Sequence, residues 1–236
     1  AIGSTGTIGS HSGCFFSCFP FKSGRTFDVT GDDDYRRIGS LIGRLHAVSR
    51  RKDAPSRVVF DPGHVLDSFC RPFARSSSVH PEVRDEFMDL CASVLEGSAP
   101  LFSRSDLIRI HGDCHRGNIL DRADEGLLLI DFDDMMTGPA VQDLWLLLPG
   151  YMEDSRREMS LLLEGYETFT PFNRSELALV ETLRFMRMLY FLWWMDSQRG
   201  DALFEERYAD WGSRAFWIRE MEDLRSQSRH ALARPD

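Results

Sequence analysis

Three polar residues near the middle of the chain have the types and the spacing that phosphoryl transfer requires. Asp113 and Asn118 follow His111 in the pattern H-x-D-x-x-x-x-N, and Asp131 comes directly after the apolar run 127–130. In enzymes that transfer a phosphoryl group from a nucleotide, one carboxylate orients and deprotonates the attacking hydroxyl. An Asn and a second carboxylate hold Mg²⁺ on the phosphates. The pattern therefore predicts a kinase-type catalytic centre.

Two other interpretations apply to the same residues. A single Asp or Asn in a loop is most often a turn former or a helix cap, although three such acceptors in register favour a shared site. His111, Asp113, Cys114 and His115 also carry atoms that bind zinc. Zinc ligands usually come at helical or hairpin spacing from more than one segment, and the other five histidines form no partner pair. The kinase interpretation is therefore favoured over a zinc hydrolase.

Short strands are predicted on both sides of these residues. A strand at 107–110 precedes the catalytic loop. Residues 119–120 and 127–130 then form a hairpin that turns at Asp124, Glu125 and Gly126.

Helical periodicity accounts for most of the remaining chain. The predicted helices cover residues 34–52, a short segment near Val65, 81–97, 139–148, 155–169, 173–197 and a final stretch after Ser213. Asn173 and Glu176 form a capping-box-like start for the long helix, and its apolar run 188–195 is predicted to be buried. A few short strands followed by a largely helical body indicate an α+β chain dominated by a helical lobe.

The composition is that of an ordinary soluble protein of 236 residues, with 42% hydrophobic and 28% charged residues. The net charge of -9 argues against a nucleic-acid-binding surface, which needs clustered Lys and Arg. Five scattered cysteines without a C-x-x-C motif are typical of reduced thiols in a cytosolic protein. No apolar run reaches transmembrane length. We therefore expect a cytoplasmic monomer that binds neither nucleic acid nor membranes.

Two longer stretches carry a resemblance to a known family. The first is HGDCH at 111–115 with GNIL at 117–120, and the second is DD at 133–134 with GPAVQDLW at 138–145. Together with weaker matches at 41–46 and 183–187, they resemble the aminoglycoside phosphotransferase and choline kinase superfamily. The likeness implies a protein-kinase-like α+β fold with a mostly helical carboxy lobe.

The resemblance implies a role for each residue of the centre. Asp113 would be the catalytic base, and Asn118 and Asp131 would be the Mg²⁺ ligands. Asp133 stands where choline-kinase-like members keep a second acidic residue, so it is either a ligand of a second Mg²⁺ or a solvated turn carboxylate. Asp143 would brace the catalytic loop without being a site residue.

Three further residues are expected to support the centre. His111 would pack and form hydrogen bonds within the catalytic loop. Arg184 and Arg187 lie on an otherwise apolar helix, where a buried guanidinium must be paired. Ion pairs to the acids of the loop are the favoured interpretation, and substrate contact is the alternative.

The segment after the second carboxylate departs from the protein-kinase pattern. Asp131 and Phe132 are followed by Asp133 rather than Gly, and no Ala-Pro-Glu element appears downstream. The space before Pro139 is too short for a long activation loop. Regulation by phosphorylation of such a loop is therefore not expected.

The amino end departs from the pattern as well. Kinases use a Gly-rich cover and a strand Lys on the phosphates, but residues 3–13 have no G-x-G-x-x-G spacing. The only lysines, Lys22 and Lys52, follow the strand-like aromatic run 14–19, which by resemblance is the hinge edge of the nucleotide pocket. Phe19 in this run would contact the nucleotide.

The resemblance thus divides the chain at about residue 30. Residues 1–30 would be an amino-lobe remnant with the hinge, and residues 31–236 the helical carboxy lobe with the catalytic loop and the metal site. With most of the amino lobe missing, we expect weak ATP binding, little phosphorylation and an uncovered aromatic run.

The expected function is ATP- and Mg²⁺-dependent transfer of a phosphoryl group to the Ser or Thr hydroxyl of a protein. The acceptor fits the branch of the superfamily that the sequence resembles more closely. A small-molecule alcohol kinase of the aminoglycoside, choline or homoserine type is the alternative. A kinase remnant that binds a partner without turnover is a further alternative.

Overall fold

Helices form most of the chain, and the short strands are confined to three small sheets. The computed structural model describes residues 8–122, 125–201 and 203–233. The α-helices are α1 (Asp32–Ser49), α2 (Pro62–His64), α3 (Arg71–Ala74), α4 (Arg84–Phe102), α5 (Gln142–Trp145), α6 (Arg156–Tyr166), α7 (Val180–Ser197), α8 (Phe204–Arg207) and α9 (Arg214–Leu232). Within the described ranges, no helix is long and apolar enough to cross a membrane.

Two of the sheets hold the loops that carry the predicted site. Strand β4 (Ile108–Ile110) pairs with β7 (Met136–Gly138), and β5 (Ile119–Asp121) pairs with β6 (Leu127–Leu129), both antiparallel. The catalytic loop therefore joins β4 to β5, and the loop with the second carboxylate joins β6 to β7. Because each loop leaves one sheet and enters the other, the two loops lie side by side.

The remaining strands lie toward the amino end. Strand β1 (Gly9–His11) and β2 (Cys14–Phe16) form a separate hairpin, and β3 (Arg25–Thr26) adds to the edge of β5. Residues 1–7 and Asp124 of the predicted turn fall outside the described ranges. Phe15 and Phe19 are more than four-fifths exposed, which agrees with the expected uncovered aromatic run.

Helices α1 and α6 pack backbone to backbone at glycines. A Cβ on Gly39 would lie 1.9 Å from the carbonyl oxygen of Leu162, and a Cβ on Gly165 would lie 2.0 Å from the carbonyl oxygen of Arg36. No side chain fits at such distances, so glycine is required on both helices. This close contact places His46, near the end of α1, in the buried interior beneath the catalytic loop.

Several predicted helices have different bounds in the structure, and two of them have an identifiable cause or a much shorter extent. Helix α4 continues to Phe102 instead of ending at Gly97, because it packs along α9 and tertiary contacts outweigh the low helix propensity of glycine. Residues 139–148 form only the single turn α5, Gln142–Trp145, between non-helical turns.

The start of the long helix was also predicted incorrectly. A 3₁₀-helix spans Arg174–Leu179, and α7 begins at Val180. Asn173 caps this 3₁₀-helix by accepting from the Ser175 amide at 3.1 Å, but the Glu176 side chain accepts from the Val141 amide instead of the Asn173 amide. The buried turn around Val141 needs an acceptor, and this need outweighs the local capping box.

The apolar run 188–195 on α7 is only partly buried. Leu189, Leu192 and Met195 belong to the interior, whereas Phe191 is 52% exposed and Trp194 is 42% exposed. The two exposed rings stack with their centroids 6.2 Å apart. The aromatic residues of α7 occur on both its buried and its exposed faces, because other elements cover only one side of the helix.

Candidate active site

The catalytic loop is fixed from below by one buried carboxylate. Asp143 Oδ2 accepts from the His111 amide at 2.6 Å, and Oδ1 accepts from the Gly112 amide at 2.9 Å. Gly112 has φ +87°, and a Cβ there would lie 2.2 Å from the Asp134 carbonyl oxygen. Only glycine can therefore make this turn. The expected bracing role of Asp143 is confirmed by these contacts.

Asp143 is in turn tied to the helical body through a buried histidine. His46 Nε2 donates to Asp143 Oδ2 at 2.9 Å, and Tyr166 Oη donates to His46 Nδ1 at 3.0 Å. Burial raises the pKa of Tyr166 to about 12, so its hydroxyl remains a donor at neutral pH. The three side chains connect α1, α5 and α6 to the start of the catalytic loop.

Asp113 and Asn118 lie at opposite ends of the same short loop and touch each other. Asn118 Nδ2 donates to the Asp113 carbonyl at 2.9 Å and lies 3.5 Å from Asp113 Oδ2. Because the amide nitrogen is held in this way, Oδ1 of Asn118 is turned away from the loop backbone. Within the described part of the chain, this oxygen accepts no hydrogen bond, so it is available to a cation.

The loop that carries Asp131 is attached to the catalytic loop by hydrogen bonds. The Ile130 amide donates to the Asn118 carbonyl at 2.9 Å, and His111 Nε2 donates to the Ile130 carbonyl at 2.9 Å. Asp131 follows directly with φ +64°, in the left-handed region that costs a non-glycine residue about 1–3 kcal/mol. The ring of His111 also contacts Phe132, with centroids 4.6 Å apart. These contacts bear out the packing role expected of His111.

Two acids follow Asp131, and their surroundings differ. The Asp133 side chain is exposed, and its carbonyl accepts from Arg57 Nη1 at 3.1 Å. Asp134 Oδ1 accepts from Tyr190 Oη at 3.0 Å. Burial, followed by the charge of Asp134, raises the pKa of Tyr190 to about 12.

The ligand types of the site suit a hard cation better than zinc. Nowhere in residues 8–122, 125–201 and 203–233 do three His, Cys, Asp or Glu side chains form a group that could hold a metal ion. Burial raises the pKa of the Cys114 thiol well above its ordinary value, and both ring nitrogens of His111 are in hydrogen bonds. Asn118 and Asp131 offer oxygen atoms, which Mg²⁺ prefers.

Residues 2–180 match the family model of APH, the phosphotransferase enzyme family. The chain belongs to this phosphotransferase family. Stress response kinase A of Escherichia coli strain K12 is 31% identical over 227 residues, which are 94% of this chain and 68% of that protein. A protein of Salmonella typhimurium named serine/threonine protein kinase RdoA is 31% identical over 225 residues, with the same shares covered.

Solved structures of other phosphotransferases share the fold. Spectinomycin phosphotransferase with ADP and spectinomycin has a TM-score of 0.54 at 14% identity, covering 97% of this chain and 74% of that chain. An amicoumacin kinase with AMP-PNP and Ca²⁺ has a TM-score of 0.58 at 17% identity, covering 94% of this chain and 66% of that chain. The predicted protein-kinase-like, mostly helical α+β fold is thereby confirmed.

The two helix arginines of this phosphotransferase have different partners. Arg187 pairs with Asp113 Oδ1, which is the predicted ion pair to an acid of the catalytic loop. Arg184 instead pairs with Glu181 at 3.1 Å and lies over the Trp145 ring at 4.6 Å. The prediction was therefore wrong for Arg184, because helical spacing alone does not tell which neighbouring element a side chain meets.

Two residues at the candidate site were not assigned to it from the sequence, and one predicted residue lies apart. His115, considered above only as a possible zinc ligand, has its Nε2 3.4 Å from Asp113 Oδ2. Tyr190, with its hydrogen bond to Asp134, was not selected from the sequence. Phe19 is 84% exposed, and no described contact joins it to the catalytic loop.

Proposed function

We propose that this chain is an ATP- and Mg²⁺-dependent phosphotransferase whose acceptor is a Ser or Thr hydroxyl of a protein. The observation that carries the proposal is the junction of the two site loops. Asp113 and Asn118 lie on one loop, and the strand leading to Asp131 is hydrogen-bonded to that loop at Asn118. A base and two oxygen ligands on adjacent loops are the arrangement that phosphoryl transfer uses.

Each residue has one task in the proposed reaction. Asp113 orients the acceptor hydroxyl and accepts its proton while the oxygen attacks the γ-phosphorus. The bond from that phosphorus to the bridging oxygen breaks, and ADP leaves with the electron pair. Oδ1 of Asn118 and the carboxylate of Asp131 would hold Mg²⁺, which neutralises charge on the phosphates. Asp133 is proposed as a ligand of a second Mg²⁺, since its carboxylate is exposed beside Asp131.

The choice of a protein acceptor is supported by the relatives that cover nearly all of this chain. One of them is named a serine/threonine protein kinase, at 31% identity. The solved structures of spectinomycin and amicoumacin kinases fall at 14–17% identity, where the likeness concerns the fold. A protein hydroxyl is therefore favoured over a small-molecule alcohol.

The amino end sets an expectation for the strength of nucleotide binding. We propose that residues 1–30 are an amino-lobe remnant with Phe19 at the hinge, and that residues 31–236 are the helical carboxy lobe. Residues 3–13 have no G-x-G-x-x-G spacing, and both lysines follow the run 14–19, so these residues offer little to hold the β- and γ-phosphates. Activity should therefore require millimolar Mg²⁺-ATP.

A transfer assay with labelled ATP tests the proposal. The chain is incubated with γ-labelled ATP at several millimolar, to offset the weak binding expected, with Mg²⁺ in excess and with either casein or a panel of aminoglycosides and choline. We expect label on Ser or Thr of casein, and a loss of about 10²–10⁴-fold in Asp113→Asn. The matched control is Asp67→Asn, an exposed acid whose ion pair within the described residues is with Arg71.

The possible results separate the three candidate functions. Label on a small alcohol but not on casein would replace the protein acceptor by a small one. No transfer above the Asp113→Asn background to any acceptor would refute the catalytic proposal and favour a non-catalytic binding module.

A further inference from the structure

Helix α7 brings two side chains to the site from outside the two loops. Arg187 pairs with Asp113 on the catalytic loop, and Tyr190 donates to Asp134 on the following loop at 3.0 Å. Residues three apart share one face of a helix, so a single face of α7 touches both loops. The contact with Asp113 spans 74 positions of sequence.

The two oxygens of the Asp113 carboxylate have different surroundings. Oδ1 accepts from Arg187 Nη2, whereas Oδ2 lies 3.4 Å from His115 Nε2 and 3.5 Å from Asn118 Nδ2. A guanidinium is a planar, permanently charged donor that holds a carboxylate oxygen in a defined direction. The ion pair therefore fixes the rotation of the side chain and leaves Oδ2 as the less tightly bound oxygen.

We propose that Arg187 is a positioning residue of the phosphotransferase. By holding Oδ1, it directs Oδ2 of Asp113 toward the acceptor hydroxyl, and Oδ2 receives the proton when the acceptor oxygen bonds to the γ-phosphorus. This inference rests on the proposed function, in which Asp113 is the base. It adds to that function a residue from a distant helix.

A purely structural role for the pair is the competing explanation. The side chains of Arg187 and Asp113 are 29% and 18% exposed, and partly exposed ion pairs contribute little to stability. Arg184 shows what a structural arginine on this helix looks like, with Glu181, the Gly150 carbonyl and the Trp145 ring as partners. Arg187 has no such set in the described chain; its one ion pair there is with Asp113.

Three variants in the labelled-ATP assay test the inference. We expect Arg187→Ala to lower kcat by about 10²-fold, the usual effect of a misplaced catalytic group. The KM for Mg²⁺-ATP should change less than about threefold, because Arg187 contacts the base and neither metal ligand. Arg187→Lys keeps the positive charge without the planar guanidinium, so its kcat should lie between those of the unaltered chain and Arg187→Ala. The matched control Arg184→Ala should keep kcat within about twofold.

Chemical rescue distinguishes positioning from structural support. Free guanidinium at millimolar concentration can enter the space left in Arg187→Ala and pair with Asp113. It should therefore raise the kcat of this variant at least tenfold. It should not raise kcat in Arg184→Ala or in Asp113→Asn. If Arg187 had only a structural role, guanidinium would leave the kcat of Arg187→Ala unchanged. The lower activity of this variant would then be accompanied by a lower urea midpoint.

The outcomes also separate this inference from the proposed function. If Asp113→Asn loses transfer while Arg187→Ala keeps wild-type kcat, Arg187 does not position the base and the function stands. If Arg187→Ala loses kcat without rescue and with a lowered urea midpoint, the inference is overturned in favour of a structural role. If the unaltered chain transfers no label above Asp113→Asn, both proposals fail.

Discussion

Replacement of Asp143 by Ala should destabilise the whole protein, although Asp143 touches no substrate. Its carboxylate is fully buried and accepts from the amides of His111 and Gly112 and from His46, at 2.6–2.9 Å. Asp143→Ala removes the acceptor of three buried donors, which are the His111 amide, the Gly112 amide and the Nε2–H of His46. A buried donor left without an acceptor costs about 1–3 kcal/mol, so the three together cost roughly 3–9 kcal/mol.

This loss is a large share of the stability of a typical domain, about 5–15 kcal/mol. Asp143→Asn keeps one carbonyl acceptor and should lose less, about 1–3 kcal/mol. Urea denaturation followed by tryptophan fluorescence measures both. The control is Asp67→Ala, which removes an ion pair whose side chains are 72% and 51% exposed and should change stability by less than about 0.5 kcal/mol. If Asp143→Ala were no more destabilising than Asp67→Ala, the bracing of the loop by this carboxylate would be disproved.

Three further outcomes are expected. Gly39→Ala should destabilise the protein by about 1–3 kcal/mol, because the new Cβ would lie 1.9 Å from a backbone oxygen of α6. Gly97→Ala should stabilise α4 by up to about 1 kcal/mol, because the nearest atom to its Cβ is 3.5 Å away. The urea midpoints of the two variants measure both effects. Burial raises the pKa of Glu176 to about 7 in the folded protein, above its ordinary 4.5, so the stability it contributes is present below pH 4.5 and lost as pH rises through 7. Glu176→Gln should therefore show a smaller fall in urea midpoint between pH 5 and pH 8 than the unaltered chain, and an equal fall would contradict the burial argument. Asn118→Ala and Asp131→Ala should raise the Mg²⁺ concentration needed for half-maximal transfer, above all Asp131→Ala, and unchanged Mg²⁺ titrations would remove both from the metal site.

The elements next to the site could be predicted from the sequence because local patterns determine them. Each of the strands β4, β5 and β6 differs from its predicted bounds by one residue at one end. The spacing of Asp113 and Asn118 placed them on one loop, where the structure has them touching. Short-range periodicity and turn chemistry suffice for such features.

Contacts between distant segments could not be predicted in the same way. The bond from His46 to Asp143 spans 97 positions, and nothing in the spacing of either residue indicates the other. The partner of Arg184 and the extent of α4 depend likewise on which helix packs beside them. The π-helical turn at Val65–Cys70 also has no pattern of its own in the sequence.

The dependence of the site on α7 has a consequence for how the protein loses activity under stress. Asp113, Asn118 and Asp131 lie on loops held by the strand pairs β4–β7 and β5–β6, whose partners are at most 30 positions apart, as Ile108 and Gly138 are. Arg187 and Asp113 are 74 positions apart, so this contact is the more costly one to close. Arg187 and Tyr190 lie on α7, whose outer face is exposed to solvent, with Phe191 half exposed. A partial release of α7 would leave both strand pairs intact and yet free the carboxylate of Asp113 to rotate. Mild denaturant should therefore abolish phosphoryl transfer while the backbone amides of strands β4 to β7 remain protected from hydrogen exchange.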